Sequence, residues 1–271
     1  DNIVSVDIFS VSPVEKDLSA QPMWRRGGEA PATSSTFAVG EEAEGGAAQV
    51  VLREVGRLTA PIDRASPVVR PGDTVRVDVV ARTRKVGHFF PGGTVDAFDV
   101  WLEFKAEDDN GRVLFWSGMI EEAGSGPVEP GAHFYRSYQL DANGNPINKR
   151  NAWQTRSLLY VRLIPPGAAD VAHYRMRIPA DVAGSVKLTA RLNYRKFAHY
   201  YTQFAYAGRP DPADKAPFGP AFDDRRFLFT PPGIPANVSG QIKDRIPDLP
   251  IVTLATAETR LRVGSEPAAW Q

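Results

Sequence analysis

Histidine has the widest chemical reach of any side chain in this sequence, and only four occur, at positions 88, 133, 173 and 199. A neutral imidazole nitrogen can bind a metal, and the ring can pass a proton near neutral pH. His88 lies in Val86-Gly87-His88-Phe89-Phe90-Pro91-Gly92-Gly93-Thr94-Val95-Asp96, where glycines and a proline shape a turn and two aromatic rings anchor it. His133 follows Glu129-Pro130-Gly131-Ala132. His88 and His133 are therefore the candidate metal ligands. The commoner use of such a histidine is structural, with a ring N–H donating to a backbone carbonyl and pinning the loop. On that reading His88→Ala weakens the fold rather than a reaction. His173 and His199 fall in a predicted strand and a predicted helix and receive no role.

Other chemistry finds less support. Asp141-Ala142-Asn143-Gly144-Asn145 places oxygens at alternate positions, like half a calcium loop. Position 152 is Ala where a twelve-residue loop needs a bidentate Glu, so a turn is expected. There is no G-x-S-x-G elbow, no H-E-x-x-H pair and no G-x-x-x-x-G-K cradle. Cysteine is absent, which excludes disulfides, thiolate metal sites and a Cys nucleophile. Catalytic residues and a bound cofactor are accordingly not expected.

A second kind of site is an interface. Arg191, Arg195 and Lys196 flank Tyr194, Phe197, Tyr200, Tyr201 and Phe204, a mixture of cations and rings enriched where proteins meet. The same pattern suits a core helix whose basic stems reach outward. Further on, Phe227 and Phe229 lie in a proline-rich stretch and need a cover, either the body of this chain or another protein.

These residues must be positioned mainly by strands. Thr74–Ala81 sets Val75, Val77 and Val79 on one face against Arg76 and Asp78 on the other. Asn2–Val11, Val50–Leu58, Asp96–Ala106, Arg112–Met119, His133–Leu140, Ser157–Ile164, Ala172–Ile178, Val186–Asn193 and Ile251–Val263 read in the same style. Asp108-Asp109-Asn110-Gly111 joins two of them as a hairpin turn. The three- and four-residue spacing of Phe197, Tyr200, Tyr201 and Phe204 predicts a short amphipathic helix over Arg195–Tyr206. Nine prolines between Gly208 and Pro250 predict an extended arm without regular ladders. The expected fold is all-β: an immunoglobulin-like β-sandwich with long irregular loops, one short helix and that arm. A single domain over 1–271 is expected, its core at about 48–205 plus 251–263, with 208–250 as the arm. Two β-domains dividing near 127–131 are the alternative.

Lys plus Arg number 32, as do Asp plus Glu, so the balance offers nothing to a nucleic acid. No window approaches the ~20 apolar residues of a membrane span, and residues 1–20 lack a basic start followed by an apolar run. The expectation is an exported protein without a transmembrane segment of its own, any signal peptide already removed.

Several segments, in order, resemble the haem-free C-terminal β-domain of bacterial multihaem c-type cytochromes. They are Val86–Gly93, Asp99-Val100-Trp101-Leu102, Asp109-Asn110-Gly111-Arg112-Val113 and Glu129–Arg136. Asp141-Ala142-Asn143-Gly144, Ile164-Pro165-Pro166-Gly167, Tyr174-Arg175 and Ala190–Phe197 complete the set, which covers about 70–205. Those cytochromes bind haem through C-x-x-C-H, and this chain has no cysteine. The resemblance thus implies a haem-free protein working beside haem on the periplasmic or extracellular face of a membrane. It implies an accessory subunit docking on a multihaem cytochrome, a respiratory complex or a photosynthetic reaction centre. It also admits His88 or His133 as axial ligands to a neighbour's haem iron. Two alternatives stay open: a carbohydrate-binding sandwich using Trp24, Trp153 and Trp270, and a metalloenzyme using His88 and His133.

Overall fold

A computed structural model of the chain describes residues 3–14, 58–148, 151–210 and 247–264, with short backbone stretches at 20–21, 51–52, 212–213, 215, 218–219, 222–223 and 227–229. The principal strands are β1 (Val4–Pro13), β2 (Val68–Val69), β3 (Thr74–Thr83), β4 (Asp99–Asp108), β5 (Val113–Ser117) and β6 (His133–Phe134). They continue with β7 (Ser137–Leu140), β8 (Ser157–Val161), β9 (Ala169–Arg177), β10 (Gly184–Arg195) and β11 (Ile251–Val263). Two helices matter below, α1 (Ile62–Ala65) and α2 (His199–Ala207).

The strands form an all-β sandwich. One sheet runs β1-β3-β9, antiparallel throughout. The other runs β2-β11-β10-β4-β5, with β6 pairing further along the same edge of β4. Only β2 and β11 pair in parallel in that larger sheet. The period-2 pattern explains what lies between them: Val75, Val77 and Val79 of β3 meet Leu102 and Phe104 of β4 and Leu188 and Leu192 of β10 in one buried cluster. Phe104 stacks on Tyr174 of β9 at 4.6 Å, joining the two sheets through their rings.

The polar face of β3 is less wet than alternation suggests. Asp78 is buried because β1 and β9 flank it. It accepts a hydrogen bond from Ser10 Oγ at 2.8 Å and one from His173 Nδ1 at 2.7 Å, and Arg76 lies 3.0 Å away.

A second, smaller core lies on the outer face of β4. Trp101, which the alternation of β4 turns outward, is covered by Val128, Ala132 and Phe134 from the following loop and β6. Its indole N–H donates to the Gly118 carbonyl at 3.0 Å. Gly118 has φ +80°, and a Cβ there would stand 2.5 Å from the Leu102 carbonyl oxygen, so only glycine lets the loop lie this close to the strand.

Two expectations need correction. The helix begins at His199, not Arg195, because Arg195 continues β10, paired with Asp99 of β4 on one side and Ile251 of β11 on the other. The proline-rich stretch does hold short ladders: Gly208–Pro210 pairs with Phe227–Phe229, and Phe218–Gly219 with Phe222–Asp223. Each is two or three residues long, and Pro210 closes its strand, where a missing N–H costs little. Most of the rest of 208–246, and most of the strand expected at Val50–Leu58, lie outside the described residues.

Candidate functional site

β7 and β8 leave the sandwich as a two-stranded ribbon. Its attachment is a cluster of cations and rings. The Arg136 guanidinium lies over Phe134 at 3.8 Å and over Tyr138 at 4.5 Å. Tyr138 stacks on Tyr160, its partner across the ribbon, at 5.5 Å and 16°. Arg162 closes the series 5.3 Å from the Tyr160 ring. Hydrogen bonds tie the same residues together, Arg136 Nε to the Tyr160 hydroxyl at 3.2 Å and Arg162 Nη1 to the Phe134 carbonyl at 3.2 Å. Cation–aromatic contacts that exclude water are worth more than exposed ones, so this cluster holds the ribbon at a fixed angle to the sandwich.

Between ribbon and sandwich lies a cleft of about 340 Å³, within the range of ligand pockets. Phe134, Tyr138 and Ile147 form one wall, Phe98, His199 and Tyr200 the other, and Pro127, Pro130 and Pro146 stiffen the rim. Tyr138 lines the cleft while packing against Arg136 and Tyr160. Tyr200, at the start of α2, is 41% exposed and offers its ring at the mouth. Polar groups are few and spaced: Asp96, Gln139 and Asn148.

The wall beside α2 has a fixed electrostatic character. Burial, with the Arg195 charge, holds His199 below the usual histidine pKa, so it is neutral at pH 7. Burial and the nearby Glu121 carboxylate raise the Tyr200 hydroxyl above the usual tyrosine value, so it stays a donor. Asp99, which lines the cleft, is paired with Arg195 behind it, 2.7 Å apart and almost fully buried. Arg195 also donates to the Gly126 carbonyl at 2.8 Å, which fixes the loop carrying Pro127 and Val128.

The residues expected to form an interface are thereby separated. Arg195 is no surface group; a charge so buried is kept by its pairing with Asp99. Arg191 is exposed on the outer face of the large sheet, 3.8 Å from Glu103. Lys196 lies over the Phe197 ring at 5.6 Å, and Tyr201 packs edge-on against the same ring at 5.2 Å. Among the described side chains of this set, only Tyr200 lines the cleft. The backbone of Phe227 and Phe229 is described, but their side chains lie outside the described residues.

The candidate ligands are also apart. His88 is exposed, not buried, and its Nδ1–H donates to the Phe89 carbonyl at 2.7 Å. Its ring rests on Gly92, where a Cβ would come within 2.6 Å of Cε1. The anchor of that loop is Phe90, whose backbone bonds to Ile164 in both directions. His133 bonds to the Asp170 carboxylate at 2.7 Å rather than to a carbonyl. Among the described residues no group of three or more His, Asp or Glu is placed to hold a metal. Asp141 is a turn residue, its Oδ1 accepting from the backbone N–H of Asn143 and of Asn145 at 2.8 Å each. Trp153 is exposed, whereas Trp24 and Trp270 lie outside the described residues.

Sequence reasoning missed the cluster and the cleft. The signal was Phe134, Arg136 and Tyr138 at every second position, and Tyr160 and Arg162 likewise. What could not be read was that Tyr138 and Tyr160 would pair across two strands.

No family profile matches the chain, and no curated protein matches it. Among solved structures, a penta-haem cytochrome c552 from Thermochromatium tepidum aligns over 74% of this chain at 16% identity, with a TM-score of 0.41. The chain spans 40% of that protein's length. A likeness of this size carries no argument about function.

Proposed function

We propose that the chain is a non-enzymatic, cofactor-free accessory subunit of a periplasmic electron-transfer assembly, and that the cleft receives a segment of a cytochrome-bearing partner. The cleft carries this reading: a concave, proline-stiffened, ring-lined groove with few polar groups suits an apolar anchor on another polypeptide. The motifs shared with the haem-free β-domain of multihaem cytochromes supply the context, and the absence of cysteine leaves no C-x-x-C-H through which this chain could attach haem itself. A multihaem cytochrome, a respiratory complex or a photosynthetic reaction centre all fit that context.

A photo-crosslinking amino acid at position 200 tests the reading in native membranes. The expected product joins this chain to a haem-bearing polypeptide. A product formed only with haem-free proteins contradicts it. A second reading has one observation in its favour: Asp96, Gln139 and Asn148 beside Tyr200 offer the hydrogen-bonding groups and ring that a saccharide needs. Binding of soluble oligosaccharides that Tyr200→Ala abolishes would select it.

A further inference from the structure

None of residues 153–161 lines the cleft, and the densest exposed apolar surface of the described residues lies there. Within nine residues Trp153, Leu158, Leu159 and Val161 are each more than half exposed. The local geometry presents them. Asn151 and Gln154 are buried and hydrogen-bond each other, which turns Trp153, between them, outward. Leu158 opposes Gln139 and Val161 opposes Ser137, so these two share the face away from Tyr138 and Tyr160. Leu159 is the extra residue of a β-bulge between Leu158 and Tyr160, an arrangement that re-aims side chains.

The charge around them is one-sided. Between Trp153 and Val161 the sequence carries one charged residue, the cation Arg156, and no acid. Arg156 is exposed, and its guanidinium donates to the Trp153 and Thr155 carbonyls at 3.2 Å each, which keeps a cation beside the indole. Aliphatic tips, a tryptophan and a flanking arginine are the side chains that seat at the interface of an anionic bilayer.

We infer that residues 153–161 form a shallow contact with anionic lipid, with Leu158, Leu159 and Val161 entering the acyl boundary and Trp153 and Arg156 at headgroup level. Two features favour lipid over a protein face. Four side chains at this exposure fall well short of the ~800 Å² per partner that a stable protein interface buries. The four side chains are also open to solvent, whereas a protein hot spot needs enclosure. Depth is limited: the outer edge of β8 has no ladder partner among the described residues, and unpaired backbone groups do not enter hydrocarbon.

The inference is independent of the cleft's occupant and is tested without one. The full chain is sedimented with phosphatidylcholine vesicles containing or lacking phosphatidylglycerol, at low and high salt. Binding is expected to require phosphatidylglycerol and to weaken with salt. The double variant Leu158→Ser/Leu159→Ser should bind about tenfold less tightly, with the melting temperature of the wild type. Wild-type protein that ignores these vesicles, or a double variant that binds equally well, overturns the inference. It is likewise overturned if the double variant loses a protein partner in detergent while the wild type binds no vesicle.

Discussion

Arg195 and Asp99 form a buried ion pair behind the cleft that Asp99 lines, with side chains 4% and 7% exposed and nitrogen 2.7 Å from oxygen. Removing one member leaves the other charge buried without its partner, which costs about 3–5 kcal/mol in such pairs. Arg195→Met should therefore lower the melting temperature sharply and loosen the loop around Gly126. Arg191→Met, altering an exposed side chain of the adjacent β10, should leave stability nearly unchanged. Thermal unfolding of the two variants side by side checks this, and equal losses would remove Arg195 from its structural role.

Asp78 makes stability depend on acid. Burial disfavours its charge, but hydrogen bonds from His173 and Ser10 and the Arg76 guanidinium outweigh that and hold its pKa below the usual aspartate value. A folded-state pKa depressed in this way gives stability that is full above the unfolded pKa of about 3.9 and is lost as pH falls through the folded value. Asp78→Asn should thus destabilise the protein at neutral pH, with the gap to wild type closing below pH ~4. Urea unfolding from pH 7 to pH 3 measures the gap; a constant difference would mean that packing, not charge, is lost.

His88→Ala should change stability by no more than about 0.5 kcal/mol, the usual range for an exposed position away from core packing. The sequence reading, in which the ring pins its loop, expects His88→Ala to weaken the fold. Phe90→Ala, at 9% exposure and bonded to Ile164, is the informative contrast, with an expected loss of about 3–5 kcal/mol. A large loss for His88→Ala would show that the bond to the Phe89 carbonyl fixes the loop after all.

The sandwich was legible because alternation survives wherever a strand is half buried: Val75, Val77 and Val79 point inward as read, and β11 spans the predicted Ile251–Val263. Asp109 and Asn110 sit in the expected turn, with Asp108 accepting from the backbone of Asn110 and Arg112. The site was much less legible. Arg195 reads as helix from its neighbours' spacing, and only Asp99, ninety-six positions earlier in the chain, explains why it stays in a strand and loses its solvent. Tyr200 was named among interface residues, but its opposite wall comes from Phe134, Tyr138 and Ile147, which local patterns assign merely to another strand and turn.

The most direct measurement of the docking account is capture of a haem protein by the purified chain from detergent-solubilised membranes of its own source. The chain alone should be colourless, since it has no cysteine for covalent haem. Material that it captures should show Soret absorbance. Tyr200→Ala, which removes the ring at the mouth, and Asn148→Trp, which fills the cleft, should each weaken capture of haem about thirtyfold, the scale of a lost hot spot, at unchanged melting temperature. Equal haem recovery with both variants, or none with the wild-type chain, would contradict the account.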